Sequence, residues 1–310
     1  MKSYLEKSFY ALGTLNNIKI FDCSDSELMD YAIGRVMEID DLMSAYKSGS
    51  DISKLNRNAG KGFVQIHQDT YNLLERSIKF SKLSEGAFDI TIRPLVELWG
   101  IGKKGSFIPP ESLTENIKKL VDFRKIRLHG RNKSAFLKEE GQAIDLGGIA
   151  KGFAADEVKR ILMESNAACA VINLGGNVIT IGTRVDGSPW QIGIQHPLKP
   201  TGQYMGIVSV VDKTIVTSGS NEKFFIKDNV RYHHILDPRT GRPVQSGILS
   251  VTVISDSSTD ADALTTSIFV LGTKRGFELA RRLGAEIIVV TERLEILASN
   301  GLENNLKILN

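Results

Sequence analysis

The sequence is poor in the residues that mark disulfide-bonded, zinc-binding and membrane proteins. Its 310 residues include only two cysteines, Cys23 and Cys169, which form no CxxC pair and have no histidine-rich neighbour. A zinc site is therefore not expected. Cys169 lies in an apolar run over residues 167–172, where we expect a buried core thiol. No run approaches the roughly 18 apolar residues of a membrane span.

Charge of one sign is also scarce. The formal net charge is +3, and the 39 lysines and arginines are scattered along the chain, which argues against a nucleic-acid-binding protein. The first residues lack the apolar segment of a signal peptide. We therefore expect a cytoplasmic protein as the sequence stands, and an extracytoplasmic one if an export signal has been trimmed from it.

Enough apolar residues are present for a substantial core, since 42% of the chain is hydrophobic. The sequence has no internal repeat, no low-complexity tract and no linker rich in proline or serine. These features predict a single domain over residues 1–310, and two closely packed subdomains would satisfy them equally.

Hydrophobic periodicity predicts the secondary structure. We expect Ser24 to be an N-cap that forms a capping box with Glu27. Helices are predicted over 24–46, 69–83, 111–121, a segment beginning at 151, 261–271 and 274–283. Strands are predicted over 168–173, 178–182, 190–194, 205–211 and 214–217, followed by two or three near the end of the chain. Because helices and strands come in blocks, this order favours an α+β fold with a largely antiparallel sheet.

The most informative segment runs from Asp145 through Leu-Gly-Gly-Ile-Ala to Lys151 and Gly152. Its glycines allow close backbone approach to a ligand, and N–H groups at a helix start form an anion site. Lys151 adds a charge suited to phosphate. The segment is neither a Walker loop nor a GxGxxG motif. An ordinary strand-to-helix turn with an exposed lysine also fits.

A second glycine turn lies within the sequence Asn173-Leu-Gly-Gly-Asn177. By itself it is typical of a hairpin. Two such turns close together in the chain also raise the possibility that both line one cleft.

Hard oxygen ligands occur in the segment from Thr259 to Thr266. On a helix, Asp262 and Thr266 are four residues apart and share a face. A carboxylate and a hydroxyl suit Mg²⁺, which takes its remaining ligands from backbone, water and substrate phosphate. The alternative is that Asp260 and Asp262 only stabilise the helix N-terminus through its dipole.

Two adjacent histidines, His233 and His234, precede a turn that contains Asp237 and Pro238. Side chains alternate along a strand, so one histidine is expected to face a cleft and the other not. A general base near neutral pH and a satisfied strand histidine are both compatible with this pattern.

Taken in order, these segments resemble the ApbE family of FAD:protein FMN transferases. The resemblance runs from about Leu12 to about Gly272. Its motifs, as they stand here, are Leu12-Gly-Thr14, Ser44-Ala-Tyr46 with Leu55-Asn56, Gly86-Ala-Phe-Asp-Ile-Thr91 with Trp99-Gly100, Asp145 to Gly152, Asn173 to Asn177, Thr217-Ser-Gly219, His234-Ile-Leu-Asp-Pro238 with Thr240-Gly241, and Asp262 to Thr266. The family usually has methionine where this chain has Leu12.

The resemblance implies a T-fold-like core and a role for each matching residue. His234 would be the catalytic histidine. Mg²⁺ would be bound by the backbone carbonyl of Gly148, by Asp262 and by Thr266. Residues implied to contact FAD are Leu12, Tyr46, Ala87, Phe88, Asp89, Asp145, Lys151 and Leu236.

The implied reaction moves FMN from FAD to a threonine hydroxyl of a redox or respiratory flavoprotein, and AMP leaves. The acceptor would carry an Asp-x-x-Ser/Thr-Gly-Ala-Thr-like motif. This chain has no Ser-Gly-Ala-Thr, so we expect no self-modification. Two alternatives remain at this stage: an FAD diphosphatase that releases FMN and AMP, and a non-catalytic FAD-binding protein. The metal pair and the histidine argue against the second.

Overall fold

The computed structural model describes residues 4–102 and 107–309. Eight α-helices lie within these residues: α1 Ser26–Met43, α2 Asp51–Arg57, α3 Gln68–Leu83, α4 Arg93–Trp99, α5 Glu111–Lys118, α6 Ala150–Glu164, α7 Ser258–Leu271 and α8 Thr273–Arg282. In this part of the chain no helix is both long and apolar enough to cross a membrane.

The same residues form eighteen strands. They are β1 Tyr4–Ala11, β2 Thr14–Phe21, β3 Val64–Gln65, β4 Ile126–His129, β5 Ser134–Leu137, β6 Ala170–Leu174, β7 Asn177–Ile181, β8 Trp190–Gln195, β9 Tyr204–Val210, β10 Thr214–Gly219, β11 Phe224–Lys227, β12 Val230–His233, β13 Leu236–Asp237, β14 Arg242–Pro243, β15 Ile248–Ser255, β16 Glu286–Thr291, β17 Ile296–Ala298 and β18 Leu306–Ile308.

The main sheet has eight strands in the order β1-β2-β6-β7-β10-β15-β16-β17, and its paired strands are antiparallel. One face packs against α1, α6 and α7 in the largest apolar cluster. The other face contributes Ile215, Ile254 and Ile288 to a second cluster with strands β8, β9 and β18. The predicted α+β class with a largely antiparallel sheet is confirmed.

The register of the sheet brings several turns to one end. Asn16 of β2 pairs with Leu174, Leu174 pairs with Asn177, and Asn177 pairs with Val216. These paired residues form one row across the sheet. Beyond this row, at the same end of the sheet, lie the β1–β2 turn at residues 12–13, the β6–β7 turn at 175–176 and the end of β10. The second glycine turn is thus a hairpin, and both of its glycines have positive φ, 59° and 95°.

Three local predictions were wrong. Asp25, not Ser24, caps α1, because its carboxylate accepts the Leu28 N–H at 3.0 Å. The predicted capping box is therefore absent from this helix. Cys169 is only half-buried, because it lies in the loop immediately before the first residue of β6. The helix predicted over residues 261–271 begins earlier than expected, because α7 starts at Ser258 and Ser257 is its N-cap.

Candidate active site

The centre of the candidate site is the crossing of α6 and α7. A side-chain carbon at Gly152 would lie 2.2 Å from the carbonyl oxygen of Ser258, so only glycine permits this approach. Asp262 is 3% exposed, and its Oδ2 accepts the Gly152 N–H at 3.0 Å. Its Oδ1 lies 3.8 Å from Lys151 Nζ. The buried carboxylate of α7 therefore caps the first turn of α6.

The reverse interaction holds the other end of the crossing. Asp156 of α6 accepts the N–H groups of Ser258 and Thr259 at 2.8 and 2.9 Å. It also accepts the hydroxyls of Ser257 and Thr259 at 3.0 and 2.6 Å. Each helix thus supplies a carboxylate to the N-terminal turn of the other. This reciprocal capping fixes the position of Asp262 relative to Lys151.

A set of hard oxygen donors surrounds this crossing. Thr266 is partly exposed, whereas the residues of α7 on either side of it are buried. A side-chain carbon at Gly148 would lie 3.3 Å from Thr266 Oγ1 and 3.4 Å from Phe88 Cε2. Gly148 and Thr266 are therefore neighbours, and Asp262 lies one turn before Thr266 on α7. Their oxygens fit Mg²⁺ and suit neither a soft metal nor zinc.

The donor set contains one carboxylate and is small for a metal site. Among the described residues, no group of three or more His, Cys, Asp or Glu side chains could hold a metal ion. Lys151 Nζ lies close to Asp262 Oδ1 and donates to the Gly147 carbonyl at 3.1 Å. A cation bound by these oxygens needs further ligands, and the oxygens of a diphosphate can supply them.

The glycine loop is fixed by Asp145. Its Oδ1 accepts the Gly147 N–H at 2.8 Å, and its Oδ2 lies 3.5 Å from a guanidinium nitrogen of Arg93. The Asp145 N–H donates to the Ile90 carbonyl at 2.8 Å. The loop that precedes α6 is therefore tied to the segment at residues 87–91, and Lys151 projects from its end.

An aromatic platform adjoins Asp145. Tyr46 is 68% exposed, and the Arg93 guanidinium lies 4.6 Å from the centre of its ring. Arg93 is itself held by Glu97 at 2.8 Å and by Asp145. One face of the Tyr46 ring is thus stacked on a fixed cation, and the ring offers its remaining exposed surface to a planar ligand. Sequence reasoning did not identify Arg93, whose role depends on tertiary contacts.

The segment at Ala87, Phe88 and Asp89 is buried, with 1%, 4% and 7% exposure. Both oxygens of Asp89 are occupied, because Oδ1 accepts from the Thr91 N–H and hydroxyl and Oδ2 accepts from the Phe123 N–H. Burial raises the pKa of the Asp89 carboxyl. Asp89 therefore holds its own loop, and Phe88 is the member of the three that reaches Gly148.

The two histidines face different surroundings, as the strand alternation predicts. His233 is 4% exposed, contacts Val244 O through Nε2 at 2.9 Å and packs edge-on against Phe269. His234 is half-buried, and its Nδ1 lies 3.3 Å from the carbonyl of Lys223. Burial lowers the pKa of each histidine to about 4. Repulsion from Lys151 contributes to the low pKa of His234, which places His234 within range of the site.

A second acidic residue near the site was also missed. Desolvation raises the pKa of the Glu222 carboxyl although part of the side chain stays exposed, while Lys151 and Lys223 oppose this and Asp262 adds to it. Glu222 therefore lies within electrostatic range of the Lys151–Asp262 pair. Its position just after Thr217-Ser-Gly219 was the signal available in the sequence.

Two further residues that the resemblance implies to contact FAD, Leu236 and Leu12, make structural contacts within the protein. Leu236 is 5% exposed and packs with Leu95 and Trp99 in a third apolar cluster, so its side chain serves the core. Leu12 is half-buried in the β1–β2 turn with φ of 54°. Thr14 at the end of this turn touches Gly175 so closely that a side-chain carbon there would lie 2.4 Å from Thr14 Cγ2. The two hairpin turns therefore pack on each other.

Comparison with known proteins gives a consistent result. A family model described as the ApbE family matches residues 12–289. The FAD:protein FMN transferase of Treponema pallidum (strain Nichols) is 34% identical over 318 residues, which cover 96% of this chain and 87% of that protein. The enzyme of the same name from Klebsiella pneumoniae (strain 342) is 34% identical, over 89% of this chain and 86% of its own length.

Solved structures agree in fold over nearly the whole chain. The ApbE protein of Thermotoga maritima superposes with a TM-score of 0.87 at 30% identity, covering 96% of this chain and 98% of that one. The flavin transferase ApbE from Vibrio cholerae gives a TM-score of 0.88 at 27% identity, covering 98% and 100%.

Proposed function

The chain belongs to the ApbE family, and we propose that it transfers FMN from FAD to a threonine hydroxyl of another protein. The reaction would depend on Mg²⁺ and release AMP. The acceptor would carry an Asp-x-x-Ser/Thr-Gly-Ala-Thr-like motif. Relatives named FAD:protein FMN transferases support the choice of substrate and reaction class.

The observation that carries the proposal is that three kinds of functional group lie near one another around the α6–α7 crossing. Lys151 and the glycine loop supply positive charge and backbone N–H groups, which suit a diphosphate. Asp262 and Thr266 supply hard oxygens beside them. The imidazole of His234 lies within electrostatic range of Lys151. A diphosphate bound here would therefore have a proton acceptor nearby.

The tautomer of His234 supports its role as a base. A carbonyl oxygen only accepts hydrogen bonds, so the contact between Nδ1 and Lys223 O requires the proton on Nδ1. Nε2 then carries the lone pair and can accept the acceptor hydroxyl proton. With a pKa of about 4, the imidazole is neutral at pH 7. Bound diphosphate would bring negative charge and raise this pKa toward neutrality.

The bonds balance without a covalent enzyme intermediate. The acceptor oxygen forms a bond to the flavin-side phosphorus, the phosphorus–oxygen bond to AMP breaks, and the proton of the hydroxyl moves to His234. Lys151 and the glycine N–H groups neutralise diphosphate charge and hold the phosphorus in line. The loop fixed by Asp145 keeps these groups in place, and Tyr46 provides the surface for the flavin ring.

The oxygens of Gly148, Asp262 and Thr266 fit a magnesium ion, as their hardness and proximity indicate. When bound, Mg²⁺ would supply positive charge to the diphosphate oxygens. Lys151 would then share Asp262 with the ion or turn toward the phosphates. Both positions lie within reach of its flexible side chain.

Mass spectrometry of a synthetic acceptor peptide tests the proposal. The protein would be incubated with FAD, Mg²⁺ and a peptide that contains Asp-x-x-Ser-Gly-Ala-Thr. We expect the peptide to gain the mass of FMN less one water, and a matched peptide with the final threonine replaced by valine to gain nothing. Free FMN and AMP with an unmodified peptide would show a diphosphatase instead.

A further inference from the structure

His234 lies at the base of the hairpin formed by β11 and β12. These strands pair only with each other among the described strands, and the His234 N–H extends their ladder by donating to the Lys223 carbonyl at 3.0 Å. The contact between the imidazole Nδ1 and the same carbonyl is longer, at 3.3 Å, and it too lies within the hairpin. The position of the imidazole relative to the diphosphate site therefore depends on the side chains that anchor the hairpin.

Three aromatic rings anchor one face of this hairpin. The register pairs Phe225 with Tyr232, and their rings stack with centres 5.1 Å apart. The Tyr232 ring stacks in turn on Trp99 of α4 at 5.9 Å. Trp99 is 2% exposed and belongs to the third apolar cluster. We call Phe225, Tyr232 and Trp99 the aromatic stack, and it connects the hairpin to the protein core.

The aromatic stack lies on the same face of the hairpin as His234. Side chains two residues apart on a strand point to the same side, and the ladder bond at the base continues the register of the hairpin to His234. Tyr232 is therefore the same-side neighbour of His234, about 7 Å before it along the strand. His233 points to the opposite side and packs against Phe269. The aromatic stack is thus the anchor on the side of the candidate base.

A second contact of Trp99 lies beyond His234 in the chain. The Trp99 Nε1–H donates to the Gly241 carbonyl at 2.8 Å. Gly241 has φ of 70°, and a side-chain carbon there would lie 2.9 Å from Thr114 Cγ2, so glycine suits this turn. One indole thus contacts the chain on both sides of His234, at Tyr232 two positions before it and at Gly241 seven positions after it.

The same tryptophan ends the helix that begins with Arg93. α4 spans seven residues, and a helix rises about 1.5 Å per residue, so the two ends are about 9 Å apart on one rigid element. Arg93 stacks on the Tyr46 ring and pairs with Asp145. α4 therefore connects the surface offered to the flavin ring with the segment that carries the candidate base.

We propose that Trp99 and Tyr232 are positioning residues for the transfer, which hold His234 at its working distance from the flavin-side phosphorus. This inference rests on the proposed function and adds what orients the base. Neither ring needs to touch a reacting atom, because a displacement of about 1 Å at a catalytic group can cost about 10²-fold in rate. Loss of the stack should therefore lower kcat, whereas Lys151 and the glycine loop would continue to bind FAD.

Substitutions within the hairpin test this role. Tyr232→Leu removes the central ring of the stack, and Tyr232→Phe keeps it. Phe225→Leu removes only the outer ring and gives a second test if Tyr232→Leu fails to fold. Phe224→Leu is the matched control, because Phe224 is 39% exposed on the opposite face of the same hairpin. Tyr232→Leu and Phe225→Leu are each also combined with His234→Ala.

For every variant, kcat and KM for the acceptor peptide, FAD affinity by dialysis and the free energy of unfolding in urea would be measured. We expect Tyr232→Leu to lower kcat by about 10–10²-fold, with the KM for the peptide and the FAD affinity little changed. Phe225→Leu should have a smaller effect on kcat in the same direction. Tyr232→Phe should recover most of kcat, and Phe224→Leu should transfer like wild type. In the His234→Ala background neither leucine substitution should lower kcat further, because the imidazole that it displaces is absent.

An unchanged kcat in folded Tyr232→Leu and Phe225→Leu would overturn the positioning role while leaving the proposed function in place, even if their stability fell. An equal loss of kcat with and without the imidazole would also overturn it, since the stack would then act on another group. Wild type that modifies no peptide would refute the proposed function, and the positioning role with it.

Discussion

Replacing Gly152 by alanine tests whether the close crossing of α6 and α7 holds the site together. The added carbon would lie 2.2 Å from Ser258 O, 2.6 Å from Ser258 C and 2.8 Å from Thr259 Cα. These are backbone atoms, which no rotamer change can move. Ordinary contact distances are about 3.5 Å, so the helices must separate by about 1 Å. The 3.0 Å bond from Gly152 N to Asp262 would then be broken.

The expected loss of stability follows from three contributions. Overpacking costs about 1–3 kcal/mol, and losing a hydrogen bond to a buried charge costs about 1.5–3 kcal/mol. Alanine returns about 1 kcal/mol through its higher helix propensity. We therefore expect the free energy of unfolding to fall by about 1.5–5 kcal/mol.

Urea unfolding and Mg²⁺-dependent AMP release measure the two consequences. The matched control is Gly34→Ala in α1, where a side-chain carbon meets no heavy atom within 4 Å. That variant should gain about 0.5–1 kcal/mol and keep its activity. If Gly152→Ala were as stable and active as Gly34→Ala, the reciprocal capping of the two helices would not support the site.

Three other predictions concern charge and protonation. Asp262→Asn keeps a side-chain oxygen that can accept the hydrogen bond from the Gly152 N–H, but the negative charge is lost. We therefore expect the stability to be retained and Mg²⁺-dependent AMP release to be lost. Unchanged turnover in a magnesium titration would refute the metal assignment. His234→Ala should slow transfer by about 10²–10⁴ with FAD affinity by dialysis little altered, and equal losses would make His234 a binding residue. The low pKa values of His233 and His234, about 4, mean that the unfolded chain binds protons that the folded chain does not. The stability that the neutral histidines contribute should therefore be fully present above pH 6.5. It should be lost as the pH falls toward 4, with a decrease in the free energy of unfolding of about 3 kcal/mol for His233. A flat urea-unfolding profile over this pH range would contradict the burial of both rings.

Local patterns predicted the elements that carry the site. Helical spacing placed Asp262 and Thr266 on one face, and strand alternation separated His233 from His234. Which histidine lies in the core could not be predicted, because the answer depends on Phe269, a partner 36 positions further along the chain. The start of α7 was set three residues too late because Asp156 of another helix binds its first N–H groups.

Residues that act through tertiary contacts were beyond the reach of sequence patterns. Arg93 stacks on Tyr46 and pairs with Asp145, which lie 47 and 52 positions away in the chain. Glu222 approaches Lys151 only because β10 ends beside α7, where Ser218 bonds to Thr265 at 2.8 Å. No local spacing encodes such pairs. The family resemblance implies which residues contact a ligand, and the structure adds Arg93 and Asp156, whose contacts position several of them.

The balance of products tests the central claim most directly. With FAD, Mg²⁺ and a peptide containing Ser-Gly-Ala-Thr, AMP and peptide-bound flavin would be measured in the same reaction. Transfer predicts one bound flavin for each AMP released, and both should disappear in Asp262→Asn. AMP accompanied by an equal amount of free FMN, with no flavin on the peptide, would contradict the proposed transfer.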